Sequence, residues 1–312
     1  MGDFDAGLDL KDVERWVEEL EKNGFVCLQG VLNIHEIQHT RNLFWDWLES
    51  LGSGISREDS TTWKDENWPG DLKTGIITSH GGAHSQAMWY IRSLDQVKEI
   101  FSSIWGSHEL MTSFEAPVIW RPWSSPGSSG WKPETEGLHL NQNPTKKSEY
   151  RTIQGSIPLY DVTEETGGLE FVLESHKKEM AEQISKAYPF FKHLDHFCQV
   201  RYNDFKEEVK LVKCSAGDLI LWDSRCILGD RVGSSDLQSI SSLLIRCPVT
   251  MQPRVGVPNP VIKLRTTALR DGLSLTSLFN EFRVFSLHNT GGSKIIKLFI
   301  QPTFSDTQKK LI

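Results

Sequence analysis

The stretch Leu138-His139-Leu140-Asn141-Gln142-Asn143-Pro144 decides the fold, read together with Gly217-Asp218-Leu219-Ile220-Leu221-Trp222-Asp223-Ser224-Arg225 further along the chain. Both are short, β-rich runs bounded by turn residues. Ser124 to Gly137 and Pro144 to Tyr150, rich in Pro, Gly, Ser and Lys, read as exposed loops that bracket the first run. The same texture of short strands and turn clusters extends from Leu110 to about Val249, so a β core is expected there and any site is expected at its loops.

Outward from this core the pattern becomes helical. Val13, Trp16, Val17 and Leu20 recur at three- and four-residue steps before Gly24, which predicts an amphipathic helix over Asp12–Asn23. A short strand, Gly24 to Leu28, follows, and a second helical pattern resumes after Asn33. Ser53 to Gly75 reads as a long covering loop. Met88, Ile91, Val97, Ile100 and Ile104 predict a helix across Ser85–Trp105, and Ile262 to Phe285 returns to helical spacing. The expected organisation is one domain over residues 1–312: helical at about 12–105, β at about 110–250 and helical again at about 262–285.

The chain carries 41 acidic and 34 basic residues with no basic block, which argues against a nucleic-acid partner. Its five cysteines, Cys27, Cys198, Cys214, Cys226 and Cys247, are odd in number and form no C-x-x-C pair, which argues against a disulfide framework and a zinc knuckle. No apolar run reaches the ~18 residues of a membrane span. A cytoplasmic protein without a membrane partner is the expectation.

Five motifs occur in order: Ser79-His80-Gly81-Gly82-Ala83-His84-Ser85-Gln86-Ala87-Met88-Trp89-Tyr90, Trp120-Arg121-Pro122-Trp123, His139 to Pro144, Gly167-Gly168-Leu169 with Ser175-His176-Lys177, and Gly217 to Arg225. In order and spacing they resemble the phytanoyl-CoA dioxygenase family, over roughly residues 12–285. The resemblance implies a mainly β fold with flanking helices around a double-stranded β-helix, a cupin-like jelly roll. It also implies a non-haem Fe(II) and 2-oxoglutarate oxygenase with two histidines and one carboxylate on one face of the metal.

The first family ligand pair is H-x-D on a strand, where side chains two apart share a side. Here it reads His139 and Asn141, and the amide is a weaker, neutral ligand. The second family histidine maps to Leu228, which cannot coordinate. The basic clamp for 2-oxoglutarate maps to the uncharged window Gln238–Ser241, with Arg246 and Arg231 outside that register. Cys226 and Asp230 are candidate replacement ligands; Cys226 shares the parity of Leu228, and Asp230 is expected in the following turn.

Each singled-out residue has a plainer reading as well. His139 is either a satisfied barrel histidine or a surviving acid, base or hydrogen-bond donor, and Asn141 either hydrogen-bonds locally or ligates weakly. His80, His84 and Gln86 either line the pocket or cap a helix. Arg121 and Trp123 either border the cosubstrate or pack as an Arg–Trp stack. Asp223 is expected to pair with Arg225, and His193 and His196 are read as exposed. The functional expectation is a barrel that has lost iron-dependent oxidation. Its pocket serves a metal-independent, non-redox step (isomerisation, cyclisation or elimination) or binds a small, largely apolar organic molecule. No cofactor is assured; Fe(II) and 2-oxoglutarate enter only through the family. The alternative is an active dioxygenase with an atypical ligand set.

Overall fold

The computed structural model describes residues 7–123, 131–148, 152–194, 196–234, 243–254, 265, 267–271, 275–278, 281–284 and 304–312. The chain opens with β1 (Leu8–Asp9), α1 (Val13–Asn23), β2 (Phe25–Gln29) and α2 (Ile34–Ser50). Helix α1 starts where the Asp12 carboxylate accepts the Arg15 N–H. It stops at Gly24, whose φ of 88° is the left-handed cap that glycine supplies most easily. Asn33 and Glu36 form a reciprocal capping box at the start of α2.

The predicted single helix over Ser85–Trp105 is two, α3 (Gln86–Ser93) and α4 (Asp95–Trp105). Leu94 takes an extended conformation between them (ψ 133°), so each short helix buries its own face. In α3 the fully buried Arg92 donates to the carbonyls of Ala83 and Glu115, and burial lowers its pKa to about 10. In α4 Trp105 donates its indole N–H to the Met251 carbonyl.

Then come β3 (Leu110–Thr112), β4 (Val118–Trp120), β5 (His139–Gln142), β6 (Ile153–Pro158) and β7 (Gly167–Val172). Helix α5 (Lys178–Ala187) precedes β8 (His196–Gln199), β9 (Val209–Leu211), β10 (Leu219–Asp223), β11 (Ile227–Val232), β12 (Leu244–Pro248) and β13 (Met251–Pro253). Two sheets form, in the orders β1-β2-β10-β6-β12-β4 and β8-β5-β11-β7-β9. Apart from β1 on β2, their pairings are antiparallel. This is the expected mainly β jelly roll with flanking helices.

Strand alternation sorts side chains into three layers. From the first sheet Val26, Leu28, Ile153, Ile157, Leu219, Leu221, Ile245 and Cys247 point outward into a core shared with α1 to α4. From the second sheet Leu138, Leu140, Val172 and Ile227 point outward onto Ile184 of α5 and Phe191. Between the sheets Phe25, Cys27, Ile220 and Trp222 meet Leu169, Phe171 and Leu228, with Phe25 and Phe171 stacked at 4.7 Å. The outward registers of Leu140 and Ile227 therefore fix His139, Asn141 and Leu228 on the inner side.

The helical expectation for Ile262–Phe285 fails over its second half. Leu275–Leu278 and Glu281–Val284 are antiparallel strands β14 and β15. Both are short runs holding β-branched or aromatic residues, a pattern as compatible with a hairpin as with a helix. Arg265 and residues 267–271 are helical, and the rest of that segment beyond the two strands lies outside the described residues.

Candidate active site

His139 opens β5, and its cross-strand partner on β11 is Leu228. The residue that the family resemblance sets at the second-histidine position is thus the direct neighbour of His139. Leu228 pairs on its other side with Phe171 and is 4% exposed within the inter-sheet cluster. A fully buried leucine contributes about 2 kcal/mol of transfer free energy, so this side chain is part of the core.

His139 is half-buried. Its Nδ1 lies 2.9 Å from the Gly137 carbonyl oxygen and its ring packs on Phe197 at 4.5 Å. A carbonyl only accepts, so Nδ1 carries the proton, and the lone pair of the neutral ring resides on Nε2.

Asn141 is held by an amide relay. The Trp222 indole N–H, a donor only, points at Gln154 Oε1 at 3.1 Å and so orients that amide. Asn141 must then present Nδ2, at 2.9 Å, to the same oxygen. Its Oδ1 makes no hydrogen bond among the described residues. An aspartate in this place would set oxygen against oxygen, so the surroundings of position 141 are fitted to an amide.

Of the two candidate replacement ligands Cys226 is turned away from this site, and Asp230 shares the inner face with Leu228 but is engaged in an ion pair. The Cys226 thiol is fully buried and donates to the Gly24 carbonyl at 3.2 Å, with burial first and Asp223 second raising its pKa. Asp230 lies within β11 opposite Leu169, not in a turn, and forms an ion pair with Arg246. Arg231, one step along, faces the other way and pairs with Glu170 at 2.8 Å. Among the described residues no group of three His, Cys, Asp or Glu side chains forms around His139. The two-histidine, one-carboxylate set does not fit the residues present.

The clamp window Gln238–Ser241 lies outside the described residues, but the strand after β11 begins only at Leu244 and carries Arg246 on its inner face. Arg246 lies beyond the register in which the family resemblance sets the clamp. Arg246 lies over the Trp120 ring at 4.7 Å, and its buried Nη2 has no hydrogen-bond partner among the described residues. A guanidinium with one edge on Asp230 and a spare N–H is suited to a carbonyl or carboxylate oxygen.

Glu136 was not anticipated. Desolvation pushes its carboxyl above the ordinary range, while His139 lowers it and Asp230 and Asp71 raise it. It therefore belongs to the electrostatic neighbourhood of His139. The signal was only its place three residues before His139, which nothing distinguishes from other loop acids.

The remaining expected residues divide. Trp123 is buried edge-on to Trp120 at 6.1 Å, beside the Arg246 stack. Arg121 is committed elsewhere, donating to the Trp63 carbonyl at 2.9 Å and to Asp65 at 2.7 Å between Trp68 and Trp131. It anchors the covering loop, so the stacking reading holds and a role on developing charge does not. His84 is buried edge-on to Phe114 at 4.8 Å in the helix-side core, and Gln86 is exposed in the first turn of α3. His80, with a positive φ of 54°, sits 2.7 Å from Ser79 Oγ, and burial lowers its pKa. Asp223 and Arg225 form the expected pair through both carboxylate oxygens, and His193 is exposed. The side chain of His196 lies outside the described residues.

A double-stranded β-helix with an H-x-N pair inside one wall defines a chain built like the non-haem iron oxygenases. Residues 20–229 match the phytanoyl-CoA dioxygenase (PhyH) family, which is more than half of the chain, and the protein belongs to that family. It is 26% identical over 234 residues to Ava biosynthesis cluster protein O of Aspergillus versicolor, covering 68% of this chain and 70% of that protein. The carbocyclase SnoK from nogalamycin biosynthesis superposes with a TM-score of 0.53 at 14% identity, over 90% of this chain and all of that one. The epimerase SnoN, in complex with Fe3+, alpha ketoglutarate and nogalamycin RO, gives 0.51 at 14% identity over 78% and 84%. HygX from Streptomyces hygroscopicus, with nickel and 2-oxoglutarate bound, gives 0.51 at 14% over 77% and 87%. At these identities the likeness establishes the fold. No helix among the described residues is long and apolar enough to cross a membrane.

Proposed function

We propose that this PhyH-family barrel acts on a small, largely apolar organic molecule without iron-dependent oxidation, either by a proton-transfer step of the isomerisation, cyclisation or elimination type or by binding alone. The observation that carries this reading is Leu228, packed on Phe171 directly beside His139 where the second metal-binding histidine is required. The amide relay at Asn141 supports it from the second ligand position. The relative named for a biosynthesis cluster supports a small-molecule substrate.

In the catalytic form His139 Nε2 takes a proton from a substrate carbon or hydroxyl, and the Gly137 carbonyl steadies the imidazolium through Nδ1–H. The spare N–H of Arg246 holds the substrate oxygen on which charge develops, in place of the role first expected of Arg121. Asn141 Oδ1 accepts from a substrate donor and fixes orientation, and Trp120 and Trp123 supply apolar wall. In the binding form the same groups only orient the ligand.

The test is direct. Purified protein given Fe(II), ascorbate, 2-oxoglutarate and extracts of candidate small molecules is expected to form no succinate above background. Substrate-dependent succinate would overturn the reading in favour of an active dioxygenase.

A further inference from the structure

Cys27 on β2 and Cys214, just before β10, are far apart in sequence, yet the fold places their thiols together with the Asp218 carboxylate. The three ligand atoms all lie within 4.8 Å of one another. Sequence spacing gave no sign of this, because one partner is on a strand and the other two lie on the turn Cys214-Ser215-Ala216-Gly217-Asp218. We propose that this triad is a second site, unrelated to His139, that binds a thiophilic divalent cation of the Zn2+ type.

The geometry is close to what such an ion needs. With Zn–S near 2.3 Å and Zn–O near 2.1 Å, tetrahedral ligand atoms stand about 3.6–3.8 Å apart, so at most about 1 Å of contraction is required. The turn is already built. Asp218 Oδ1 accepts the Gly30 N–H at 2.7 Å and Oδ2 the Ser215 N–H at 2.8 Å, so both oxygens are positioned and each keeps a lone pair. Asp161, which accepts the Ala216 N–H at 2.8 Å, adds negative charge to the same turn. Cys27 and Asp218 are buried while Cys214 is only half-buried, which gives the ion an approach and leaves a fourth position for water. Two thiolates select a borderline-soft ion over Mg2+ or Ca2+.

The experiment is Co2+ titration of the full-length, reduced, metal-free protein. One equivalent is expected to produce a sulfur-to-cobalt charge-transfer band with tetrahedral visible bands, and Zn2+ to abolish both. Cys214→Ser, on the half-exposed side, is expected to remove the band and weaken Zn2+ by about 100-fold or more. His139→Ala is expected to leave both unchanged, which separates this site from the barrel pocket. A folded wild-type protein that gives no thiolate band, or a band that persists in Cys214→Ser, overturns the proposal. So does a Cys27–Cys214 disulfide that resists reduction and excludes the metal.

Discussion

Replacing Asn141 by aspartate, the residue the family places there, is expected to destabilise this protein at neutral pH. In the native chain Gln154 Oε1 accepts from Trp222 at 3.1 Å and from Asn141 at 2.9 Å. Aspartate removes the second donor and sets a carboxylate against that oxygen. Turning the Gln154 amide over would relieve the clash only by facing its NH2 toward the Trp222 N–H. Losing one partner in a buried network is worth about 1–3 kcal/mol. At about 2–4 °C per kcal/mol for large domains, the melting temperature should fall by roughly 2–12 °C. The sign of the pH dependence follows. A carboxyl facing an acceptor has its folded pKa raised, so the folded state holds a proton that the unfolded chain releases, and the deficit is full above the folded pKa and shrinks as pH falls through it. Thermal melts of wild type and Asn141→Asp at mildly alkaline and mildly acidic pH measure this. Repetition in a Gln154→Met background supplies the cycle, in which the penalty should largely vanish. Equal stability of Asn141→Asp and wild type at alkaline pH, or a penalty undiminished by the Gln154→Met change, would refute the amide relay.

Four further outcomes are expected. The double change Asn141→Asp with Leu228→His should create Ni2+ or Fe(II) binding visible by calorimetry, since position 228 is the cross-strand neighbour of His139; a folded double variant that binds no better than wild type would show that the inner-face geometry has been misread. His139→Ala should abolish turnover of a substrate if the pocket is catalytic and leave ligand affinity mostly intact, whereas a loss of affinity with no turnover to lose points to binding alone. Arg246→Met should weaken small carboxylates, followed by tryptophan fluorescence because Trp120 carries the guanidinium, by about 10-fold or more; unchanged affinity would remove Arg246 from the pocket. Desolvation raises the carboxyl of the otherwise exposed Glu136, so its protonation favours the folded state slightly as pH falls through its folded pKa; Glu136→Gln should flatten the stability-against-pH curve there by a small, solvent-screened amount, and an unaltered slope would assign the titration to another group.

Periodicity and local chemistry already determined much from the sequence. The Trp16–Leu20 face with Gly24 as its stop, the Asn33 start and the strand parity of His139 and Asn141 all depend on neighbours a few residues away. The parity of Leu228 was legible for the same reason, since Asp223 to Leu228 runs through one short turn into one strand. Other features were settled by tertiary structure, because they join segments whose separation carries no local signal. Arg246 on β12 reaches Asp230 on β11, a pairing between strands that are separated in sequence. Gln154 and Trp222, on adjacent strands β6 and β10, decide which face of the Asn141 amide is presented. Arg121 is drawn to Trp63 and Asp65 by a loop that sequence showed only as covering. Cys27 and Cys214 meet because β2 and the turn before β10 are brought side by side. Residue types and their parity are local properties of a chain, whereas hydrogen-bond direction and ligand convergence depend on which strands become neighbours.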